Sequence, residues 1–228
     1  MPDWTKSMQQ TFEYYIVNPA TWKDVRRINN VKSGSITRDL GVETLGSATF
    51  DIEEPLGECY IRAYLITIQN GAKDKYPLGT YLIQTPSSKF DGKNKIVSVD
   101  AYTPLLELKE NPPPIGYSVL KDTNIMETAY KITKEQVRAP VVAAACTETL
   151  FSDFVANTDD TWMTFLNDLM ANAKYTFALD ELGRILFSPK QDMASLQPVW
   201  TFDDSNSSIL YPEINMDYDL YGIPNVVE

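Results

Sequence analysis

The sequence has no histidine, only two cysteines, far fewer basic than acidic residues, and no long apolar run. Without histidine, the commonest general base, nucleophile activator and metal ligand are all missing. Any enzyme built from this chain would have to work with carboxylates, Lys, Tyr or Cys. Gly-rich phosphate loops, a Ser nucleophile elbow and CxxC pairs are also missing from the sequence. Lys and Arg total 20 against 31 Asp and Glu, a net charge of −11. Such a surface repels phosphate and argues against a reader of nucleic-acid bases, though not against a passage through which DNA slides unheld. No run of about 18 apolar residues is present to make a transmembrane helix. The start, MPDWTKSMQQTFEYY, lacks the apolar core of a secretory signal. Cys59 and Cys146, far apart and flanked by apolar residues, read as buried thiols rather than a disulfide, consistent with a reducing compartment. The sequon Asn206-Ser207-Ser208 carries little meaning without a secretion signal.

What is present is a chain of 228 residues, long enough to bury a real core, with the 43% hydrophobic and 22% charged content of a globular protein. Its 13 Tyr, 9 Phe, 4 Trp and 14 Pro lean toward strands and loops rather than a helical bundle. Residues 1–108 are β-dominated. EYYIVNP reads as a strand closed by Asn18-Pro19. In SITRDLGVETLGSATFDIEEP, Ile36, Arg38 and Leu40, then Ala48, Phe50 and Ile52, follow the period of two of strands with one face on a core. Turns are expected at Asn70-Gly71 and Asp91-Gly92. Tyr60 to Ile68 is apolar on both faces, as in a small barrel or sandwich.

Three consecutive prolines, Pro112 to Pro114, make a stiff connector and mark a domain boundary. Residues 109–200 then read as a small α+β unit. Trp162, Phe165, Leu166, Leu169, Met170 and Ala173 form the apolar stripe of an amphipathic helix, with Thr158, Asp159 or Asp160 able to cap its start. Tyr175, Phe177 and Leu179 alternate into a turn over Asp180 to Gly183, and Ile185 and Phe187 return as a hairpin. A shorter helix is expected from Thr123 to about Ile132. VVAAACTETLFSDFVA reads equally as helix or strand. Residues 201–228 return to short strands, and the final Val226-Val227-Glu228 opens a strand after the turn residues Pro224 and Asn225. The fold class is therefore mainly β with an α+β part: a β-barrel or sandwich, a small α+β unit with one clear helix and a hairpin, then the start of a second barrel.

Chemistry has no visible home. Asp159-Asp160 and Asp203-Asp204 are adjacent carboxylates, but sequence neighbours point apart, and glycoside hydrolysis needs convergence. A helix cap and a turn account for them. DDSNSS lacks the glycine and distal Glu of a calcium loop. Tyr14, Tyr15, Trp22, Tyr60, Tyr64 and Tyr81 are weighed as a sugar-stacking platform against the plainer reading that aromatics fill and flank sheets. No catalytic, cofactor-binding or metal-ligating residue is assigned, no cofactor is expected, and the chain is read as a non-enzyme.

The order of the pieces carries more. GSITRDLGVETLGSATFDI, then IRAYLITI and YPLGTYLIQTPS, then VSVDAYTPLLEL resemble the opening barrel of the tail hub (tail-associated or baseplate hub) proteins of tailed phages, with Pro77 to Tyr81 as that barrel's P-L-G-T-Y segment. DTWMTFLNDLMANAKYTFALDELGRILFSP is similar to the family's second unit, and ILYPEINMDYDLYGIPNVVE to its re-entry into a second barrel. The resemblance implies a homotrimeric structural protein of the virion tail tip, assembled in the host cytoplasm. Such a hub caps the tail tube, adapts six-fold to three-fold symmetry and opens for DNA. It implies as partners a distal tail protein or tube ring, a tape measure protein and spike or fibre proteins. DNA only passes through the lumen, and this segment inserts in no membrane. The second barrel, incomplete here, is expected either from a longer hub or from strands of another chain. The alternative is a β-sandwich carbohydrate- or receptor-binding module of a virion or cell surface.

Overall fold

The computed structural model describes residues 2–53, 56–90, 95–191 and 195–197. The chain divides into two compact units, Met1–Lys190 and Gln191–Glu228. The turn expected at Asp91-Gly92, the Asp203-Asp204 pair, the sequon, the second-barrel start at 201–228 and its terminal strand lie outside the described residues.

Seven strands form one antiparallel sheet: β1 (Gln9–Val17), β2 (Asp24–Ile28), β3 (Val31–Thr37), β4 (Ser47–Ile52), β5 (Tyr60–Gln69), β6 (Ala72–Phe90) and β7 (Lys95–Tyr102). Their order is β2-β1-β5-β6-β7-β4-β3. The two ends of that order, β2 and β3, are consecutive in the chain and separated only by Asn29 and Asn30. In effect one bent strand pairs with β1 through its first half and with β4 through its second. A strand that changes partners at a bend is how a sheet turns a corner and closes on itself. Packing inside the curl agrees: Tyr14 of β1 sets its ring 5.5 Å from Phe50 of β4, although three strands lie between them in the order. Asn70 and Gly71, with φ of 50° and 80°, make the tight β5–β6 turn that their sequence predicts.

Alternation places Ile28, Ala48, Phe50, Ile52, Ile61, Tyr81, Ile83, Val97, Val99 and Ala101 in the core inside the curl. The opposite face of the sheet is also covered. Val17, Trp22, Tyr60 and Leu82 join a second core with the helices α1 (Leu106–Glu110), α2 (Ile125–Gln136) and α3 (Trp162–Ala171) and the hairpin β10 (Tyr175–Leu179) and β11 (Ile185–Pro189). The short ribbon of β8 (Ser118–Val119) and β9 (Phe154–Val155) edges this second core. The fold is mainly β with a small α+β part.

Several local readings are corrected. Leu40 does not continue the β3 alternation: the strand ends at Thr37 and Leu40 is 91% exposed in the following turn. The stripe on α3 is buried as its spacing predicts, but the cap is Thr161, not Thr158, Asp159 or Asp160. Its hydroxyl accepts from the Thr164 amide, and Thr164 returns a bond to the Thr161 amide at 2.8 Å. Helix α2 starts at Ile125 because Asn124 caps it, and it runs on to Gln136. Residues 141–156 are neither a helix nor a long strand. They make isolated bridges at Val141 and Thr149 and the two residues of β9. Cys59 and Cys146 form no disulfide and are only partly buried.

Candidate functional site

The most organised polar site lies on the outer face of the sheet, where the β10–β11 turn seats on β5 and β6. Strand β5 is apolar around Arg62, yet the Arg62 side chain is 4% exposed. A guanidinium at that depth must have every donor satisfied and its charge opposed. Its Nε donates to Thr80 Oγ1 at 2.8 Å, both terminal nitrogens reach the Trp22 carbonyl at 3.2 Å, and Nη1 meets Asp24 Oδ1 at 3.0 Å. The remaining direction is filled by the Leu182 carbonyl, 3.2 Å from Nη2. That carbonyl also accepts from Trp22 Nε1 at 2.9 Å and Thr80 Oγ1 at 2.8 Å.

The turn is shaped for this seat. Asp180 accepts from the amides of Leu182 (3.0 Å) and Arg184 (2.7 Å), fixing the loop. Gly183 has φ +75°, and a Cβ there would sit 2.7 Å from Thr80 Cβ. Arg38 bridges the carbonyls of Leu78 and Asp180 at 3.3 Å each.

From this clasp a charged and aromatic layer spreads over β1, β2, β5 and β6. Asp24 receives Arg62 and the Tyr64 hydroxyl (2.7 Å), with Lys75 at 4.0 Å. The Lys75 ammonium stands 4.1 Å from the Tyr15 ring centre and 3.7 Å from that of Tyr64, between two rings set at 89°. Glu13 pairs with Arg27 at 3.4 Å and Lys73 at 3.5 Å. Burial alone would raise the Glu13 pKa, but the Tyr15 hydroxyl and these two cations outweigh it and hold it below its ordinary value. Burial, reinforced by the bond to Asp24, pushes the Tyr64 phenol up to about 12.

A second polar cluster lines a cleft of about 240 Å³ between β6 and α1. Its groups are spent on one another: Arg138 pairs with Glu107 and, at 2.7 Å, with Glu58, while Gln84 donates to Glu110. Burial works against the Arg138 charge, and Glu107 and Glu58 more than restore it, so its pKa is raised. The Tyr60 phenol beneath them is buried and its pKa rises on that account; Glu107 perturbs it without a hydrogen bond of normal geometry.

The residues weighed from the sequence are scattered. Asp159 is exposed, and Asp160 accepts from the Asn157 amide at 2.7 Å, so this pair shapes the approach to α3. Trp22, Tyr60, Tyr64 and Tyr81 are buried and Tyr14 and Tyr15 partly so, leaving no open stacking platform among these six. No group of three His, Cys, Asp or Glu able to hold a metal occurs among the described residues. The clasp was missed in the sequence. Its one signal is Arg62 itself, a lone cation in an apolar strand.

The fold is shared with phage tail proteins. The 43 kDa tail protein of prophage MuSo2 from Shewanella oneidensis superposes with a TM-score of 0.54 at 14% identity, over 78% of this chain and 52% of that one. A tail protein from Neisseria meningitidis MC58 superposes with a TM-score of 0.54 at 15% identity, over 86% of this chain and 56% of the other. The chain thus spans about half the length of each. No family model matches the sequence, and no curated protein matches it significantly.

Proposed function

We propose that this chain is a non-catalytic structural subunit of a phage tail tip, a homotrimeric hub that caps the tail tube, adapts six-fold to three-fold symmetry and opens for DNA. In this reading residues 1–108 contribute a barrel to the ring wall, 109–200 a side unit, and 201–228 the start of a second barrel. The observation that carries it is the fold shared with two tail proteins at a TM-score of 0.54. The spent polar groups of both clusters fit a role in which side chains hold shape rather than turn over substrate. Neighbours of stated type would be a tube ring or distal tail protein, a tape measure protein and a spike or fibre. Full or partial burial of Tyr14, Tyr15, Trp22, Tyr60, Tyr64 and Tyr81 leaves the carbohydrate-binding alternative without the platform it was read from.

Immunogold labelling of particles from cells carrying the gene tests the proposal. Gold clustered at the tail end distal to the capsid is expected. Particles labelled elsewhere, or not at all, contradict it.

A further inference from the structure

The ribbon of β8 and β9 leaves one edge of β8 open. Val119 and Phe154 are Cα partners, and the Ala156 amide bonds the Tyr117 carbonyl at 2.9 Å. In an antiparallel ladder that pattern turns the backbone groups of the residue between, Ser118, away from β9. The Ser118 amide and carbonyl have no hydrogen-bond partner among the described residues, and neither has the Leu120 amide. A row of unpaired backbone groups is a template for another strand.

Helix α2 turns this edge into a groove. A cavity of about 320 Å³ lies between β8 and the helix, with Thr128, Lys131, Ile132 and Glu135 as its helical wall. The consecutive residues Tyr117 to Leu120 form the other wall, and no described residue of β9 lines it. Side chains of consecutive strand residues alternate between faces, so a cavity that touches all four runs along the edge. Val119 points into the core that β8 shares with α2, whereas Leu120, on the other face, is 65% exposed. On the helical wall Lys131 and Glu135 are both exposed, and neither joins an ion pair among the described residues. Side chains four apart on a helix stand about 5–6 Å from each other, close to the roughly 7 Å between alternate residues of a strand.

We infer that this groove takes an extended segment of another protein as a third strand, laid along β8 in front of α2. Ser118 exchanges its amide and carbonyl bonds with one residue of that segment, as in the hydrogen-bonded pair of an antiparallel ladder. Alternation then fixes the chemistry of the occupant. Its side chains on the helical side carry an acid and, two positions away, a base, which meet Lys131 and Glu135. The side chains between them are apolar and cover Leu120. Backbone bonds supply the attachment, and the order of the charges supplies the register. The inference does not draw on the tail assignment, and either can fail alone.

The test titrates the isotope-labelled full chain, followed by amide NMR, with two peptides. They are acetyl-Thr-Val-Asp-Val-Lys-Val-Thr-amide and acetyl-Thr-Val-Lys-Val-Asp-Val-Thr-amide, which differ only in charge order. One of them is expected to move the Ser118 and Leu120 amide signals to saturation and to bind about tenfold more tightly than the other. Those amides then exchange more slowly with solvent. Ser118→Pro removes the edge amide but no bond to β9, and weakens binding by about tenfold or more. Ser118→Ala keeps the amide and binds like wild type. Lys131→Glu/Glu135→Lys reverses which peptide is preferred. Circular dichroism checks folding; if Ser118→Pro is unfolded, the charge exchange on α2 carries the test. The inference is overturned if neither peptide moves these amides at millimolar concentration, or if Ser118→Pro, folded, binds like wild type. A preference that the charge exchange leaves unchanged overturns it too.

Discussion

The two faces of one sheet are held in different ways. Inside the curl, ten side chains from β2, β4, β5, β6 and β7 make an apolar core with no ion among them. Outside, the same β5 strand presents Arg62, and the β10–β11 turn is fastened to it through the Leu182 carbonyl, beside the apolar core that the sheet shares with the helices. The inner core follows from period-two alternation within each strand. The outer one adds to its apolar packing a cation and a carbonyl 120 residues apart in sequence. Apolar packing tolerates swaps of similar volume, whereas a buried charge tolerates loss of a partner poorly. The comparison therefore predicts that single polar changes outside the curl cost as much as large deletions within it.

Arg62→Leu breaks the comparison most sharply. It leaves the Trp22 carbonyl without its donor and takes one partner each from Asp24 and the Leu182 carbonyl, and urea unfolding should show a loss of about 3–5 kcal/mol. A loss under about 1 kcal/mol, the worth of an exposed pair, would mean that apolar packing alone holds the outer face.

A pair of glycines sharpens it. Gly183 and Gly71 both have positive φ, but a Cβ at Gly71 meets nothing within 4 Å while one at Gly183 meets Thr80 at 2.7 Å. Gly71→Ala should lose about 1 kcal/mol from strain and Gly183→Ala about 2 kcal/mol or more, because the turn must also leave its seat. Equal thermal shifts would remove the seat from the account.

At the α3 cap, Thr161→Ala should cost about 1 kcal/mol, read in the same unfolding assay, with Thr161→Ser close to wild type. The smallest effect is one of pH. The Glu13 pKa is depressed below its ordinary 4.5, so its contribution to stability is complete above that value and is lost as pH falls through the lower folded value. Unfolding midpoints measured from pH ~5 downward should fall less steeply in Glu13→Gln than in wild type.

Much of the inner architecture was legible. Ala48, Phe50 and Ile52 announce β4, Asn70-Gly71 announces its turn, and the i, i+3, i+4 stripe announces α3, because each signal lies within one turn or one strand. The strand DVRRI was not legible, since it is exposed everywhere except Ile28, carries charge at three of its five positions and takes its conformation from pairing with β1. Helix α1 escaped because five residues give too little periodicity to read. Arg38 and Leu40 suggested a longer β3, and the turn after Thr37 overrode that alternation. The clasp was hidden for the same reason: residue 182 contributes only a backbone carbonyl, which no side-chain pattern reports.

The central claim is that this chain is built into a phage tail tip. A cryo-electron microscopy reconstruction of the tail end of intact particles, searched with the body spanning residues 2–53, 56–90 and 95–190, tests it most directly. The account predicts matching density in symmetry-related copies around the tail axis, with the curled sheet in the ring wall. Tail-end density fully explained by other proteins, with no copy of this fold, would contradict it.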